Sequence, residues 1–116
     1  MELRGEAKLL RIFLGETDKV QRGPLCDVIV RDAKSAGLAG ATVWRGIEGF
    51  GATSRIRTAR ILDLSGDLPV IVEIVDQEDK IDSFLPHLHD LFELSGCGGL
   101  VTLEKVQIIK YTHGKE

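Results

Sequence analysis

The feature that most constrains the fold is the stretch "PVIVEIV", residues 69–75. Apolar residues stand at both its odd and its even positions, so an extended chain would carry them on both sides. Valine and isoleucine runs of this length favour a β-strand. Pro69 suits the first residue of a strand, because proline donates no hydrogen bond to the ladder. Successive side chains of a strand point to opposite faces of its sheet. The sheet that contains this strand is therefore apolar on both faces and needs a cover on each.

Three further segments predict the other strands of this sheet. Residues 7–14, "AKLLRIFL", are short, apolar and bounded by glycines, and residues 41–48, "ATVWRGIE", alternate along the chain. Residues 100–110, "LVTLEKVQIIK", predict the last strand. The remaining residues, 111–116, predict a mobile tail.

Two segments carry a helical period. Residues 24–36 place apolar side chains on one helical face, with Pro24 suited to the first helical position and Gly37 to the position just past the end. A second apolar stripe runs through "DKIDSFLPHLHDLFEL", and Asp76 before it predicts a helix cap. Pro86 inside that stripe predicts a kink or a restart, because proline lacks the amide donor that the helix needs.

The resulting order is β-α-β-β-α-β in a chain of 116 residues, which is the length of one domain. This order predicts an α+β, ferredoxin-like sandwich, an antiparallel four-stranded sheet with both helices on one face. The helices cover only that face. We expect copies of the same chain to cover the other, since homo-oligomers are the usual means of burying such a surface.

Composition restricts the class of protein. A formal net charge of −3 and a pI near 5.6 argue against a nucleic-acid binder, which usually carries a basic surplus. Two distant cysteines, Cys26 and Cys97, indicate reduced thiols rather than a disulfide framework. No apolar run is long enough for a membrane span, and charges interrupt the N-terminal segment where a signal peptide would be apolar. We therefore expect a cytoplasmic protein that does not insert into membranes.

The connection between the second and third strands, about residues 50–67, is too long for an ordinary hairpin and is typical of a binding loop. Gly49, Phe50 and Gly51 begin it, and "SGCGG" at 95–99 forms a second glycine-rich loop that includes Gly96, Gly98 and Gly99. Glycines let backbone amides approach a phosphate without an intervening side chain. The alternative is that these glycines serve only a bulge and ordinary turns, because short glycine patterns often carry no ligand.

A local basic segment lies in the same region. Between positions 45 and 60 the chain carries four arginines and a single acid, Glu48; the arginines are Arg45, Arg55, Arg57 and Arg60. The net charge of the whole chain is negative. Guanidinium groups match phosphates and carboxylates through paired hydrogen bonds, which favours a binding role for a ligand or an acidic partner. The alternative is a solvated surface loop.

No residue pattern indicates catalysis or a metal site. His87 and His89 are two residues apart on a predicted helix and do not share a face, so surface histidines are expected. Cys97 has no evident base that would activate it. Trp44 in a strand indicates an interface. We therefore expect no catalytic residues, no metal ligands and no enzymatic activity.

Three blocks of the chain resemble a known family. "PLCDVIVRDAKSAGLAGATVWRGIEGFG", "LDLSGDLPVIVEIVDQEDKIDSFLP" and "GLVTLEKVQII" are similar to the uncharacterised PII-like proteins, relatives of the PII nitrogen-regulatory signalling proteins. The resemblance covers about residues 6–110. It implies a ferredoxin-like subunit assembled as a homotrimer, an adenine nucleotide in the cleft between subunits, and a long T-loop that docks onto a target enzyme or transporter.

The resemblance also implies roles for individual residues. Gly40 and Thr42 match the "G-x-T-V" that lines the nucleotide base, and Gly49 and Gly51 match the "G-x-G" at the base of the T-loop. This sequence departs from the PII pattern after Gly51, where "ATSR" replaces a basic run, and at "SGCGGLVT", which replaces the phosphate motif before the last strand. We therefore expect AMP or ADP rather than ATP, with Arg45, Arg55 and Arg57 supplying the replacement charge.

Two hypotheses follow for the function. In the first, the protein is a signalling protein that binds an adenine nucleotide between subunits and presents a mobile basic loop to a target. In the second, the loop with Arg55, Arg57 and Arg60 binds an acidic partner protein without any small ligand.

Overall fold

The computed structural model describes residues 5–51, 56–59 and 67–115. Its elements in chain order are β1 (Gly5–Gly15), β2 (Lys19–Val20), β3 (Gly23–Pro24), α1 (Leu25–Ser35), β4 (Thr42–Arg45), β5 (Glu48–Gly49), β6 (Arg57–Thr58), β7 (Pro69–Asp76), α2 (Glu78–Ser95) and β8 (Leu100–Ile108).

Four of the strands form one antiparallel sheet in the order β4-β7-β1-β8. Leu10 of β1 lies opposite Ile74 of β7 on one side and opposite Leu103 of β8 on the other. Trp44 of β4 pairs with Ile71 of β7. Together with α1 and α2, these strands give the β-α-β-β-α-β connectivity of the ferredoxin-like fold, which confirms the predicted α+β class. The trimer stays a prediction.

One face of the sheet packs against both helices. Every second residue of β7 is buried there, and Val70, Val72 and Ile74 join the core at 3% exposure or less. The helices add their own apolar stripes to the same core, from α1 Leu25, Val28, Ile29 and Ala33 and from α2 Ile81, Phe84, Leu88 and Leu91. Burial of these two stripes is what stabilises the layers. Among the described residues, neither helix is apolar over a length that would cross a bilayer.

The other face of the sheet has no cover within the described residues of the subunit. Ile71 and Val75 of β7 are partly exposed there, and Trp44 of β4 is 56% exposed. In the centre of this face, Arg11 of β1 forms an ion pair with Glu73, with Nε and Oε2 2.6 Å apart. This face is partly apolar with an ion pair at its centre, so it is less apolar than the sequence predicted, and its closure by copies of the chain stays a prediction.

The helix starts differ from the sequence prediction. Pro24 lies in β3 and immediately precedes α1 instead of being its first residue. Asp76 is the last residue of β7 and is fully buried, and Gln77 occupies the position before α2. The Asp76 carboxylate still acts on the helix start, because Oδ1 accepts the Gln77 amide at 2.6 Å while Oδ2 accepts the Ala39 amide at 2.8 Å.

Other boundaries also differ. A single helix runs through Pro86, so α2 does not restart there. The predicted strand 41–48 is divided into β4 and β5. Gly46 continues the register by donating its amide to the Pro69 carbonyl at 2.7 Å, but Pro69 has no amide to return a bond, and the β4–β7 pairing ends there. The last strand ends at Ile108, and Tyr111 beyond it donates its hydroxyl to the Ala39 carbonyl at 3.1 Å. The short β2–β3 pair was not predicted.

Candidate functional site

The two glycine-rich segments lie at the same end of the sheet. Arg45, the last residue of β4, pairs with Val70 near the start of β7, and Gly15 at the end of β1 pairs with Pro69. Leu100, the first residue of β8, pairs with Phe13 of β1. The loops that follow β4 and precede β8 therefore leave the sheet at a common end, as an arrangement around one ligand requires.

These segments nevertheless lie on opposite edges of the sheet. β4 forms one edge and β8 the other, with β7 and β1 between them. Neighbouring strands are about 4.8 Å apart, so three spacings separate the two edges by roughly 14 Å. A single subunit does not bring the two glycine segments together.

Packing or backbone conformation within the subunit explains two of the predicted glycines, Gly96 and Gly99, and also Gly46 in the same region. A Cβ atom at Gly46 would lie 2.9 Å from Pro69 Cγ, and one at Gly99 would overlap the Phe92 ring and lie 3.0 Å from the Phe13 carbonyl oxygen. Gly96 adopts a left-handed conformation, with φ of 65°, where it ends α2. Residues with a side chain rarely adopt that conformation. The fold alone therefore accounts for glycine at these positions.

Other predicted glycines have open surroundings. Among the described residues, no atom lies within 4 Å of a Cβ built at Gly40, Gly51 or Gly98. Packing within the subunit does not require glycine at these three positions. They are the glycines that packing leaves open to another role, whether a ligand, a neighbouring subunit or an ordinary turn.

The residues at the start of the long connection form a short hairpin. Gly49 of β5 pairs with Arg57 of β6, and Phe50 beyond the pair is 72% exposed. An exposed aromatic ring beside open backbone is suited to stacking on a flat ligand. Arg55 and Arg60, two of the arginines predicted to bind a partner, lie outside the described residues.

The described arginines of the basic segment are held by carboxylates. Arg45 forms two hydrogen bonds with Glu16, from Nε to Oε2 at 2.6 Å and from Nη2 to Oε1 at 2.9 Å. Arg57 pairs with Asp67, whose Oδ2 lies 3.2 Å from Nε. The sequence predicted neither pairing, although Glu16 lies in the visibly acidic turn "GETD". The charges of Arg45 and Arg57 are therefore balanced within the subunit.

Gly40 and Thr42, the residues matched to base recognition, share the β4 edge with the hairpin. Thr42 begins β4 and pairs with Glu73, three residues before Arg45. At about 3.3 Å per residue this separates Thr42 from the end of the strand by roughly 10 Å. The structure therefore places Gly40 and Thr42 along the same edge as Gly49, and not beside the second glycine loop.

A groove of about 510 Å³ lies beside the second glycine loop, between α2 and the start of β8. Leu88 and Phe92 of α2 and Val101 of β8 form its apolar walls, and Cys97 and Gly98 lie at its margin. Small-molecule sites commonly have this size and an apolar lining. The sequence did not indicate the groove, although its lining residues all lie between Leu85 and Val101, because the groove forms only where β8 turns back beside α2.

A polar network crosses the uncovered face of the sheet. Arg11 pairs with Glu73 and with Glu104, and the Trp44 indole donates to Glu73 Oε1 at 2.5 Å. The Arg11 guanidinium, helped by the indole, lowers the pKa of Glu73, and Glu73 in turn raises the pKa of Arg11. Both groups are therefore charged across the physiological range. Trp44 thus lies on the face for which an interface is predicted.

A second polar cluster joins the two helices. Arg22 in the β2–β3 turn donates to both carboxylate oxygens of Asp32 of α1, from Nη1 to Oδ2 at 2.9 Å and from Nη2 to Oδ1 at 2.7 Å. His87 Nε2 of α2 lies 2.5 Å from Asp32 Oδ2. The Arg22 guanidinium lowers the pKa of Asp32 to about 2, although partial burial acts in the opposite direction. His87 and His89 are both exposed, as expected.

Two features bear on a metal site and on the thiols. Within the described ranges, no three His, Cys, Asp or Glu side chains converge closely enough to hold a metal ion. Cys26 and Cys97 are free thiols, and burial raises the pKa of Cys26. Cys26 therefore stays protonated near neutral pH, where a thiol is a poor nucleophile.

Comparison of the fold with solved structures shows similar proteins of low sequence identity. CPII, a nitrogen regulatory PII-like protein from Thiomonas intermedia K12 solved with ADP, AMP and bicarbonate, matches with a TM-score of 0.69 and 18% identity over 90% of each chain. A protein of Thermus thermophilus, whose description likens it to PII signalling proteins, matches with a TM-score of 0.65 and 21% identity over 94% of each chain. This similarity shows that the subunit has the PII-like fold.

Sequence comparison shows closer relatives. A UPF0166 protein of Aquifex aeolicus is 44% identical over 103 residues, which are 88% of this chain and 92% of that protein. A UPF0166 protein of Methanocaldococcus jannaschii is 38% identical over 91 residues, which are 78% of this chain and 83% of that protein. The model of the DUF190 family, described as "Uncharacterized ACR, COG1993", matches residues 7–108. With nearly the whole domain matched, the chain belongs to the DUF190 family, and its subunit has the PII-like fold.

Proposed function

We propose that this protein is a cytoplasmic, non-catalytic PII-like regulator that binds an adenine nucleotide between the subunits of a homotrimer. AMP or ADP is favoured over ATP, and the connection at residues 50–67 is presented to a target such as a transporter or a metabolic enzyme. The observation that carries the proposal is that the two glycine segments leave the sheet at one end but from opposite edges. A neighbouring copy that sets its β8 edge beside β4 brings the segments together, and such a head-to-tail interface generates a ring when its rotation closes, as in the proposed trimer.

Three local features support a nucleotide at that junction. Gly51 and Gly98 leave open backbone on the two sides of the cleft, and Phe50 offers an exposed ring for the base. The groove beside Gly98 has the size of a small-molecule site. CPII, which has the same fold, was solved with ADP and AMP. Adenine nucleotides are therefore the first ligands to test.

Calorimetric titration of the purified full chain with AMP, ADP, ATP and cyclic AMP tests the proposal. Light scattering on a sizing column is run on the same sample, and we expect a trimer. We expect saturable heat with AMP or ADP and weaker heat with ATP. A folded trimer that gives no heat with any of the four would exclude the nucleotide function, and a monodisperse monomer would exclude the shared cleft.

The position of the site is tested separately. Gly51→Val and Gly98→Val add bulk where the subunit leaves open space, so each variant should fold normally and lose most nucleotide affinity. Ser83→Val is the control, because it places the same valine side chain on an exposed part of α2. Equal affinities in all three variants would place the ligand elsewhere.

The alternative of a ligand-independent module relies on the loop arginines. Arg57 is paired with Asp67, and its side chain is 26% exposed, so it offers little free charge to an acidic partner. No contact of the described residues favours this alternative over the nucleotide proposal.

A further inference from the structure

Arg45 and Arg57, the two arginines of the basic segment that the structure describes, already have carboxylate partners from the same subunit. Glu16 follows β1 and binds Arg45 through two hydrogen bonds, and Asp67 precedes β7 and binds Arg57. The Glu16 and Asp67 side chains are 30% and 17% exposed. A guanidinium binds carboxylate and phosphate through the same N–H groups, so a ligand phosphate must share or displace these carboxylates.

The two carboxylates are fixed by the backbone around them. The Glu16 amide donates to the Leu68 carbonyl at 2.8 Å, which joins the turn after β1 to the residue beside Asp67. The Thr17 amide donates to Asp67 Oδ1 at 3.2 Å. Because Glu16 and Asp67 are held beside one another, a ligand that reaches Arg45 or Arg57 meets both negative charges together.

The consequence depends on the charge of the ligand. The repulsion from a fixed carboxylate increases with each negative charge that the ligand brings near it. We propose that Glu16 and Asp67 are specificity-determining residues, which admit ligands with one or two phosphate groups and disfavour triphosphates by competing for Arg45 and Arg57. This inference rests on the proposed nucleotide function for its biological meaning, but it is a statement about anions that can be tested alone.

The test uses the full chain with orthophosphate and with tripolyphosphate as probes, each titrated calorimetrically. Glu16→Gln removes one negative charge at the site, and Glu6→Gln makes the same change at the other end of β1, some 30 Å away. We expect Glu16→Gln to tighten tripolyphosphate binding by about three- to tenfold, and orthophosphate binding by no more than about twofold. Glu6→Gln should change neither by more than about twofold.

Asp67→Asn is a second, independent variant. Its amide oxygen can still accept the Thr17 amide, so the turn keeps its anchor while the charge is lost. The same selective gain for tripolyphosphate is expected. The inference is overturned when Glu16→Gln and Asp67→Asn bind tripolyphosphate no better than Glu6→Gln, or when both probes gain equally. Wild-type protein that binds no nucleotide would refute the proposed function and leave this comparison valid.

Discussion

Replacing Gly99 by alanine separates a structural role of the second glycine loop from a ligand-binding role. The new Cβ would lie 2.8 Å from Phe92 Cζ, closer still to Cε1, and 3.0 Å from the Phe13 carbonyl oxygen. Ordinary carbon contacts are about 3.5–4.0 Å. The Phe92 ring packs against the core and the Phe13 carbonyl belongs to β1, so neither can move away freely.

The expected cost follows from this overlap. Adding a methyl group to a well-packed site usually costs about 1–3 kcal/mol, because neighbours are forced from their preferred positions. Gly98→Ala is the matched control, since a Cβ there meets open space among the described residues. Alanine at an unstrained glycine position stabilises a protein by about 0.4–1 kcal/mol through the unfolded chain. The two neighbouring variants should therefore differ by about 1.5–4 kcal/mol.

Urea unfolding measures this difference, at one protein concentration because self-association would add to stability. With an m-value of about 1–3 kcal/mol per molar urea, Gly99→Ala should unfold at a urea concentration lower by about 0.5 M or more than Gly98→Ala. Phe92→Leu in the Gly99→Ala background should recover part of the loss, because it removes the overlapping ring atoms. Equal midpoints for the two alanine variants would refute the packing explanation of Gly99.

Three further predictions concern single side chains. Asp76→Ala should lower the free energy of unfolding by about 2–4 kcal/mol in urea titration, because the buried carboxylate is removed from the two partly buried amides that donate to it. Asp79→Ala on the exposed first turn of α2 should cost less than about 1 kcal/mol. Phe50→Ala should leave the free energy of unfolding unchanged and weaken nucleotide binding about fivefold or more in calorimetry. Ile47 is equally exposed, and Ile47→Ala should change the affinity less than about twofold. A larger loss of affinity in Ile47→Ala than in Phe50→Ala would exclude stacking at Phe50. Since the pKa of Asp32 is lowered from 3.8 to about 2, its ion pair contributes stability above about pH 4 that is lost as the pH falls towards 2. That contribution is about 1–2 kcal/mol after solvent screening of the half-exposed Arg22. Asp32→Asn should therefore reduce the loss of stability between about pH 4 and pH 2, measured as the free energy of unfolding against pH. The control Asp90→Asn should leave that loss unchanged.

The elements with a strong period could be predicted from the sequence. The two-sided apolar stretch became β7, and both helical stripes became α1 and α2, because alternation and a 3.6-residue period are local properties of the chain. The predicted strand 41–48 divides where Gly46 lies opposite Pro69, a residue distant along the chain that has no amide to return the bond. Two-residue pairs such as β2–β3 are too short to show a period at all.

The site was predictable only in part, for a related reason. The glycines could be found from the sequence, but only the surroundings of each one show whether packing already requires it, as at Gly99, or leaves it open, as at Gly98. The positive charge of the basic segment could be read from the sequence. The pairing of Arg45 with Glu16 could not, since 29 residues separate them. Ion pairs between residues so far apart along the chain form only when the sheet brings the ends of their strands together.

Trp44 is an intrinsic fluorescent probe of the uncovered sheet face. The sequence contains one tryptophan, so all indole fluorescence of the protein arises at this position. The ring is 56% exposed and donates its N–H to Glu73 in the subunit. A second copy that closes over this face would remove water from the indole and move its emission to shorter wavelength. Dilution of the unlabelled protein would then reveal dissociation as a red shift, with no added dye.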